Sequence, residues 1–356
     1  MNKKIFVCFI FTVFSLSSFS QKVVWNAHLH SFFDNTEFGY SKVQMPQTMA
    51  GTHFSPEIGL NLDTIHSVFA GVDLLHEFGS NKMVDYLNFT CYYKFNKAPF
   101  RFYMGAFPRE EVLGNYPRMF FQDSIKNYRP NINGIFWEIG NRKSYFNVWL
   151  DWTSRQTTER HEAFFMGGSG RYEFNKFYAQ LFGYMYHFAG VMNPLIYEPL
   201  VDDGLFLASL GYGFEETLTQ PLIDIRMGWS LGLERQRSTN IWHKPNGFLS
   251  ETKVEFRGLG IFNTYYKGTG QMHFFNDYGN KLYWGDPFYH LTEYNRTDLT
   301  IDFLKSDFVS TRMTYSLHFG ENEIYNEQAL CVSFHPDNFS RKSGNKYRFI
   351  WSGWFE

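Results

Sequence analysis

The sequence predicts an all-β protein, a transmembrane up-and-down antiparallel β-barrel of about 16 strands within a range of about 14 to 18. Aromatic residues make up 21% of the chain, yet the mean hydropathy is only −0.35. That combination is expected when only alternate residues of each strand meet lipid. Apolar and polar residues alternate with period two along many stretches. Apart from one short joint, at 79–82, the predicted connections alternate between long and short, as they do in membrane barrels.

The first element is a predicted signal peptide at residues 1–20. Lys3 and Lys4 precede an apolar run, and small residues follow before Gln21, which is the layout of a secretory signal. An uncleaved anchor helix is the alternative, but the apolar run is short for a membrane span. We therefore predict secretion through the inner membrane and a single barrel domain at residues 21–356.

The clearest predicted strand is LIDIRMGWSLGLE. One face carries Ile223, Met227 and Trp229, while the other carries Asp224 and Arg226 together with glycine and serine. The polar face of a soluble sandwich looks at bulk water, whereas opposite charges mixed with small residues suit a crowded lumen. The predicted strands are 22–34, 53–62, 65–78, 82–95, 99–107, 132–140, 144–152, 162–174, 177–188, 204–214, 221–234, 248–262, 295–305, 308–319, 326–335 and 346–355.

The inner faces of these strands predict the function. Rings of mixed charge select the solutes that pass a channel, and a barrel of about 16 strands leaves room for one. We therefore predict a porin-like pore or transport channel for small solutes. The same charges also suit a salt-bridged filling, so a plugged surface-binding or structural barrel stays open as an alternative. The predicted lumen-lining residues are Asp224, Arg226, Glu234, Glu251, Lys253, Glu255, Arg257, Asp298, Asp302 and Arg312.

Two short serine–histidine pairs suggest another alternative, a barrel enzyme that acts on lipid or glycan. Ser316 and His318, like Ser333 and His335, stand two residues apart on one strand face, where a hydroxyl lies beside its base. Both pairs are predicted to face the lumen, however, and attack on a lipid acyl chain needs an outward or rim position. We therefore assign no catalytic residue, and the sequence favours a barrel that is not an enzyme.

One long connection, DWTSRQTTERHE, carries candidate extracellular binding residues. Arg155, Arg160 and His161 lie in it and suit an anionic glycan or a lipid head group. The acidic residues between them equally suit a solvated loop that neutralises itself. The ligand, whether a small solute or a glycan, is not identified by these residues.

The segment 263–294 is the weak point of the strand count, because so long a connection falls at the end expected to carry tight turns. It hides a hairpin, it folds into the lumen, or a neighbouring strand is misplaced. Its Tyr283 and Trp284 are candidates to stack on sugar rings and equally candidates to plug the barrel. Turn chemistry explains the glycines and proline around them without a ligand.

Composition argues against several other partners. A formal net charge of −2 disfavours binding to nucleic acid. His28 and His30 share a strand face as a possible chelating pair, but a closed site needs three or four ligands, and the sequence names no third. We therefore predict no metal and no cofactor. Cys91 is predicted to face lipid and Cys331 the lumen, so no disulfide is expected between them.

The start at Gln21 after SSFS, the strands rich in tyrosine and phenylalanine, and the aromatic ending KYRFIWSGWFE resemble outer-membrane β-barrels of Bacteroidota-type bacteria. The resemblance implies a bacterial outer-membrane location, with outer-membrane lipid around the barrel. It also implies that the C-terminal strand is recognised by the outer-membrane assembly machinery. We expect that strand, 346–355, to close the barrel against the first one, with its aromatic side toward lipid.

Overall fold

The computed structural model describes residues 22–193, 199–217, 219–339 and 348–349. Within these residues, sixteen long strands form one closed antiparallel barrel, which confirms the predicted fold class. Each strand pairs with the next in sequence, and the last pairs with the first. The strands are β1 (Lys22–Glu37), β2 (Gln47–Asn61), β3 (His66–Glu77), β4 (Tyr86–Lys97), β5 (Phe100–Pro108), β6 (Asn131–Gly140), β7 (Tyr145–Ser154), β8 (Ala163–Phe174), β9 (Phe177–Phe188), β10 (Val201–Phe214), β11 (Leu222–Gln236), β12 (Asn246–Phe256), β13 (Leu259–Gly268), β14 (Glu293–Lys305), β15 (Val309–Gly320) and β16 (Glu323–Phe334).

The two ends of the barrel differ in their connections. One end, here the turn end, carries only short joints, and the other, here the loop end, carries all of the long connections and the short joint 321–322. A short strand, Ile241–His243, extends the loop end by pairing with the last residues of β11. The turn-end connections are 62–65, 98–99, 141–144, 175–176, 215–221, 257–258 and 306–308, and the loop-end connections are 38–46, 78–85, 109–130, 155–162, 189–200, 237–245, 269–292 and 321–322.

The period-two pattern sorts the side chains between lipid and lumen. On β11 the side chains of Met227 and Trp229 are more than half exposed on the outside, while Ser230 and Glu234 are buried on the inside. The outer surface is therefore apolar and the inner surface polar, as a membrane barrel requires. No helix among the described residues is long and apolar enough to cross a membrane.

One predicted strand is two strands in the structure. The stretch 248–262 turns back at Arg257 and Gly258, whose φ angles of 52° and 84° are those of a two-residue hairpin turn. The missing strand is β13, and it returns the chain to the loop end. The long segment that was hard to place is therefore the loop-end connection 269–292.

The expected closure by 346–355 is wrong. β16 closes the barrel against β1, with Phe334 opposite Leu29. Of the segment 346–355 the structure describes the short strand Arg348–Phe349, which pairs with the last two residues of β14. The rest of that prediction lies outside the described residues. The predicted count of sixteen strands was nevertheless right, because the predicted strand 346–355 was counted in place of the missed strand β13.

Two loop-end connections fold into the barrel. Plug loop A, 109–130, contains the helical turns α1 (Glu110–Leu113) and α2 (Ile125–Tyr128). Plug loop B, 269–292, contains α3 (Phe275–Tyr278) and the 3-10 turns Gly279–Lys281 and Pro287–His290. Their residues contact the inner wall at β1, β3, β7, β8, β9, β11, β14 and β15. Together they fill the loop-end half of the lumen, which was one of the alternatives left open for 263–294.

Backbone hydrogen bonds join the two plug loops. The amide of Gln122 donates to the carbonyl of Trp284 at 2.8 Å, and the amide of Asp286 donates to the carbonyl of Arg118 at 2.9 Å. The contact is close at Gly285, where a Cβ would lie 2.0 Å from the carbonyl oxygen of Met119. The plug is therefore one body built from two connections.

Aromatic rings make up much of the lumen's core. Tyr116 of plug loop A lies 4.9 Å from Phe182 of β9 between ring centroids. On the wall, the ring of Tyr178 covers Gly211, where a Cβ would lie 2.2 Å from it. Glycine at such a point lets a ring lie flat on the neighbouring strand.

The two described cysteines are free. Cys91 is exposed on the outer surface, and Cys331 is half-buried on the inner face near Lys126 of plug loop A. The two faces are those expected from the alternation, and they place the thiols on opposite sides of the wall.

Candidate functional site

A cluster of buried charges joins the inner wall to the plug in the loop-end half of the lumen. Its centre is Arg296 on β14, whose guanidinium lies 2.7 Å from Asp298, 3.1 Å from Asp123 of plug loop A and 3.3 Å from Glu327 of β16. The same guanidinium donates a hydrogen bond of 3.1 Å to Ser316 Oγ. Strand register brings these residues together, because β14, β15 and β16 are neighbours.

The plug loops bring further charges to this cluster. Arg118 of plug loop A lies 2.8 Å from both Asp123 and Asp298. Burial opposes ionisation of Asp123, but the guanidinium groups of Arg118 and Arg296 hold the pKa of that carboxyl below its usual range. Burial raises the pKa of Asp286 in plug loop B. The two plug-loop carboxyls therefore differ in their affinity for a proton.

His318 on β15 lies between a carboxylate and a hydroxyl. Its Nε2 donates to Glu327 Oε2 at 3.0 Å, and its Nδ1 lies 2.8 Å from the hydroxyl of Tyr294. That hydroxyl also lies 3.3 Å from Asp286 of plug loop B. The expected pairing of His318 with Ser316 is not what the structure shows, since Ser316 is engaged by Arg296. All of these side chains except that of Asp286 belong to the wall.

A cavity of about 30 Å³ lies against the cluster, between the wall and the plug loops. This volume holds one or two water molecules. Six of the residues that line it are Asp34, Asp123, Asp286, Arg296, His318 and Glu327. Asp34 is only 8% exposed, and its Oδ1 has no hydrogen-bond partner within the described part of the chain. A buried carboxylate oxygen thus faces water-sized space.

A second group of inner-face residues lies nearer the turn end. The rings of His28 and His335 stack at 3.8 Å between centroids, and those of His28 and His30 lie 5.7 Å apart. Ser333 Oγ lies 2.8 Å from His30 Nδ1, so its partner is on β1 and not the expected His335. As they stand, no three His, Cys, Asp or Glu side chains among residues that the structure describes are gathered closely enough to hold a metal ion.

Most of the predicted lumen-lining charges form a network in the turn-end half. Arg226 pairs with Glu251, and Arg312 lies 2.6 Å from Asp302 and 3.2 Å from Glu255. The charges thus pair with one another, between neighbouring strands for Arg226 with Glu251 and Arg312 with Asp302, and across the lumen side of two intervening strands for Arg312 with Glu255. Four further members of the predicted set lie on the inner face. Asp224 accepts a hydrogen bond from Tyr178, and Lys253 pairs with Glu255. Asp298 belongs to the Arg296 cluster, and Glu234 accepts from Tyr283.

Arg257 and Glu234 do not belong to the turn-end network. Arg257 lies in the turn between β12 and β13 and not on a strand face. Glu234 anchors plug loop B, because its carboxylate accepts from the amides of Met272 and His273 and from the hydroxyl of Tyr283.

Tyr283 and Trp284, considered as extracellular residues that stack on sugar rings or as residues that plug the barrel, do not lie on an open binding surface. Both are almost fully buried in the lumen, at 2% and 5% exposure. Trp284 packs edge-on against Phe165 at 4.9 Å, and the guanidinium of Arg109 lies 5.3 Å from its ring. The plugging alternative describes them correctly, because a lumen lined with aromatic rings offers them apolar partners that an exposed loop lacks.

The residues predicted in the connection after β7 remain at the loop end. Arg155 and Arg160 are exposed. His161 is half-buried, with its Nδ1 2.8 Å from the carbonyl of Ala189 and its ring stacked on Phe188. The geometry therefore leaves the two arginines accessible and gives the histidine a structural contact.

Sequence reasoning missed Asp34, Tyr294, Arg296 and Glu327. Asp34, Arg296 and Glu327 are inward-facing polar residues of predicted strands, so the period-two pattern was an available signal for them, whereas Tyr294 lies one residue before the predicted strand 295–305. The period-two pattern does not give the register between strands, and that register decides which inward residues become neighbours. Asp34, for example, meets the cluster only because β1 pairs with β16.

Solved outer-membrane proteins share this fold. A loop L8 deletion mutant of OmpT from Vibrio cholerae has 8% identity and a TM-score of 0.55, covering 89% of this chain and 100% of that one. The protein opdK from Pseudomonas aeruginosa has 9% identity and a TM-score of 0.54, covering 89% of this chain and 99% of that one. The anion-selective porin from Comamonas acidovorans has 11% identity and a TM-score of 0.53, covering 89% of this chain and 100% of that one. At such identities the similarity shows the fold alone, that of an outer-membrane barrel.

Comparison of the sequence gives a different kind of match. A family model described as Lipid A 3'-O-deacylase-type matches residues 17–342. The matched region includes every strand that contributes to the Arg296 cluster and the cavity beside it. No curated protein sequence matches the chain.

Proposed function

The chain belongs to the Lipid A 3'-O-deacylase-type family, and on that premise we propose that it is an outer-membrane hydrolase that removes an ester-linked acyl chain from lipid A. One observation carries the proposal beyond family membership. A water-sized cavity in the loop-end half of the lumen is lined by Asp34, Arg296 and Glu327, and Asp34 Oδ1 has no hydrogen-bond partner among the residues that the structure describes. Membrane barrels carry their long loops on the outer side, so this half is the one nearer the outer leaflet.

Ester hydrolysis needs a base for water and a donor for the oxygen that becomes negative. In our proposal Asp34 takes a proton from the water while the water oxygen bonds to the ester carbonyl carbon. Arg296 donates to the carbonyl oxygen as its charge develops. The acyl–oxygen bond then breaks, the sugar oxygen takes the proton, and the products are a free fatty acid and a sugar hydroxyl.

His318 and Tyr294 have a positioning role in this scheme. Both ring nitrogens of His318 are engaged, one by Glu327 and one by Tyr294, so the imidazole holds the Glu327 carboxylate against the cavity. Residues of both plug loops, among them Asp123 and Asp286, line one side of the cavity, and its water-sized space is far smaller than a lipid. The proposal therefore requires the plug loops to open before the ester reaches Asp34.

The test is acyl release by the purified full-length barrel from lipid A, measured by mass spectrometry of the free fatty acid. We expect Asp34→Asn to lower the rate by about 10²–10⁴-fold, the usual contribution of general base catalysis. Asp302→Asn is the matched control, because it changes an inward-facing carboxylate in the turn-end half and should keep the activity. A folded wild-type barrel that releases no acyl chain would refute the proposal.

A channel for small solutes is the second candidate. In its favour, the turn-end half of the lumen is wet: the side chains of Arg312 and Lys253 are each 39% exposed. The plug loops lie across the other half, so permeation also needs them to move. Steady conductance of the wild-type barrel in a planar bilayer would support the channel, and a closed barrel would oppose it.

We also propose that residues 1–20 direct secretion and are removed. The support is the basic, apolar and small-residue order of the first 20 residues, together with an outer-membrane fold that must be exported. Mass spectrometry of the mature protein should give a chain that starts at Gln21. A mature chain that retains Lys3 and Lys4 would contradict this.

A further inference from the structure

Four histidines meet on the inner face of three neighbouring strands, separate from the Asp34 cavity. His28 and His30 alternate on β1, His53 lies directly opposite His30 on β2, and His335 follows β16. Residues two apart on one strand, and residues paired across strands, point their side chains to the same side. Two adjacent strands thus direct three imidazoles at one patch of the lumen, with a fourth beside it.

The Nδ1 atoms of two of these rings are occupied. His53 Nδ1 donates to Asp73 Oδ1 at 3.0 Å, and His30 Nδ1 lies 2.8 Å from Ser333 Oγ. The Nε2 atoms of His28 and His53 are buried and have no hydrogen-bond partner in the part of the chain that the structure describes. His53 is only 5% exposed. Buried polar atoms are nearly always bonded to protein, ordered water or a ligand, so these two nitrogens are available in one patch for an additional partner.

The carboxylate behind His53 is itself held in place. Ser55 Oγ donates to Asp73 Oδ1 at 2.6 Å, and Asn88 Nδ2 lies 3.4 Å from Asp73 Oδ2. A carboxylate on Nδ1–H fixes the tautomer and leaves the lone pair on Nε2. This is the arrangement found behind metal-bound histidines, where it orients the ring and makes the nitrogen more basic.

We propose that His28, His30 and His53 bind one divalent transition-metal cation through their Nε2 atoms, with Zn²⁺ as the best-suited ion. Imidazole nitrogens suit zinc, copper and nickel, and three histidines with an open fourth position are an established zinc ligand set. The sequence suggests His28 and His30 as a chelating pair that lacks a third ligand. In our proposal His53, on the neighbouring strand β2, is that third ligand.

Binding requires the rings to converge. The centroids of His30 and His53 lie 6.5 Å apart, and His28 stacks on His335 at 3.8 Å. In our proposal His28 turns off that stack toward the other two rings. His335 is then released and lies within the same patch, where it is available for the fourth position.

The experiment is titration of the tag-free, full-length barrel in detergent with Zn²⁺ after treatment with a chelator, followed by isothermal calorimetry. We expect saturable binding of one ion per chain. His28→Gln and His53→Gln should each abolish it. Asp73→Asn keeps all three Nε2 donors and should weaken binding by about 10–100-fold, as changes behind a metal ligand do.

The matched control is His66→Gln. His66 bonds Tyr93 at 2.6 Å and lies on the outer side of β3, opposite Phe95 of β4, so it cannot reach the patch. This variant should bind Zn²⁺ as the wild type does. Heat-modifiable migration in SDS gels shows for each variant that the barrel has closed, and Asp73→Asn carries the comparison if a histidine variant does not fold.

Two results would overturn the proposal. One is a closed wild-type barrel that shows no saturable Zn²⁺ binding. The other is binding that is equally tight in His28→Gln, His53→Gln and Asp73→Asn, which would place the ion elsewhere on the surface. Because the readout is metal binding and the residues are separate from Asp34 and Arg296, failure here leaves the proposed hydrolase untouched.

Discussion

The two halves of the lumen use the same kinds of ion pair in different surroundings. In the loop-end half Arg296 and Asp298 lie 2.7 Å apart, and their side chains are 6% and 2% exposed. In the turn-end half Arg312 and Asp302 lie 2.6 Å apart, and their side chains are 39% and 16% exposed. Distance does not distinguish the pairs, but burial does, and the plug loops cause that difference.

This difference decides how each half tolerates change. An ion pair open to water contributes about 0–1 kcal/mol because water and salt screen it. A buried pair has lost its hydration, so removal of one partner leaves an uncompensated charge and costs about 3–5 kcal/mol. Single substitutions in the buried Arg296–Asp298 pair should therefore be costly, and those in the water-exposed Arg312–Asp302 pair tolerated. Three changes test this, from the largest expected effect to the smallest.

The largest effect concerns the wall that both halves share. Because β16 closes the barrel, we expect a chain that stops after residue 339 to form a closed barrel and a chain that stops after residue 322 to form none. We also propose that the outer-membrane assembly machinery recognises β16. Heat-modifiable migration of protein from outer membranes and of protein refolded in detergent separates assembly from closure. Loss of closure in the longer truncation would contradict this account.

The next effect compares the halves directly. Arg296→Met removes the cation that the buried Asp298 and Glu327 share and leaves Arg118 as the remaining partner of Asp298, so it should lower the free energy of unfolding by about 3–5 kcal/mol. Arg312→Met is the matched control in the turn-end half and should cost about 0–1 kcal/mol. Urea unfolding of the barrel in detergent measures both. Equal losses would show that burial does not separate the two halves.

The smallest effect concerns the close contact between the two plug loops. A Cβ at Gly285 would lie 2.0 Å from Met119 O, so Gly285→Ala should force the plug loops apart at a cost of about 1–3 kcal/mol. We expect a rise in conductance across a planar bilayer. Gly39→Ala is the control, because nothing lies within 4 Å of a Cβ there. An unchanged, closed Gly285→Ala barrel would count against the plug as the seal.

The barrel itself was predictable because lipid imposes a rule on every strand. Trp229 and its outward neighbours must be apolar, and the alternate positions carry the polar groups, so single strands reveal their faces. The hairpin at Arg257 and Gly258 escaped notice, since such turns are usually marked by Asn-Gly or Asp-Gly. With Arg257 in the first position the stretch looks like one continuous strand.

The candidate site was much less predictable. Ser316 and His318 were considered together because they are close in sequence, but their partners, Arg296 and Tyr294, come from β14. Register between strands is not written in either strand alone. The inward fold of the plug loops was equally hidden. Phe120 of plug loop A would be an ordinary aromatic residue in an exposed loop, and only the ring-lined lumen explains its burial.

The two backbone hydrogen bonds between the plug loops have a kinetic consequence. Gln122 and Asp286 each bind the opposite loop, so neither loop leaves the lumen without breaking the contacts of the other. Opening should therefore be cooperative, a single event with one rate, and the barrel should exchange between two states without partly open intermediates. A molecule that binds either loop in its outward position would shift the population of both.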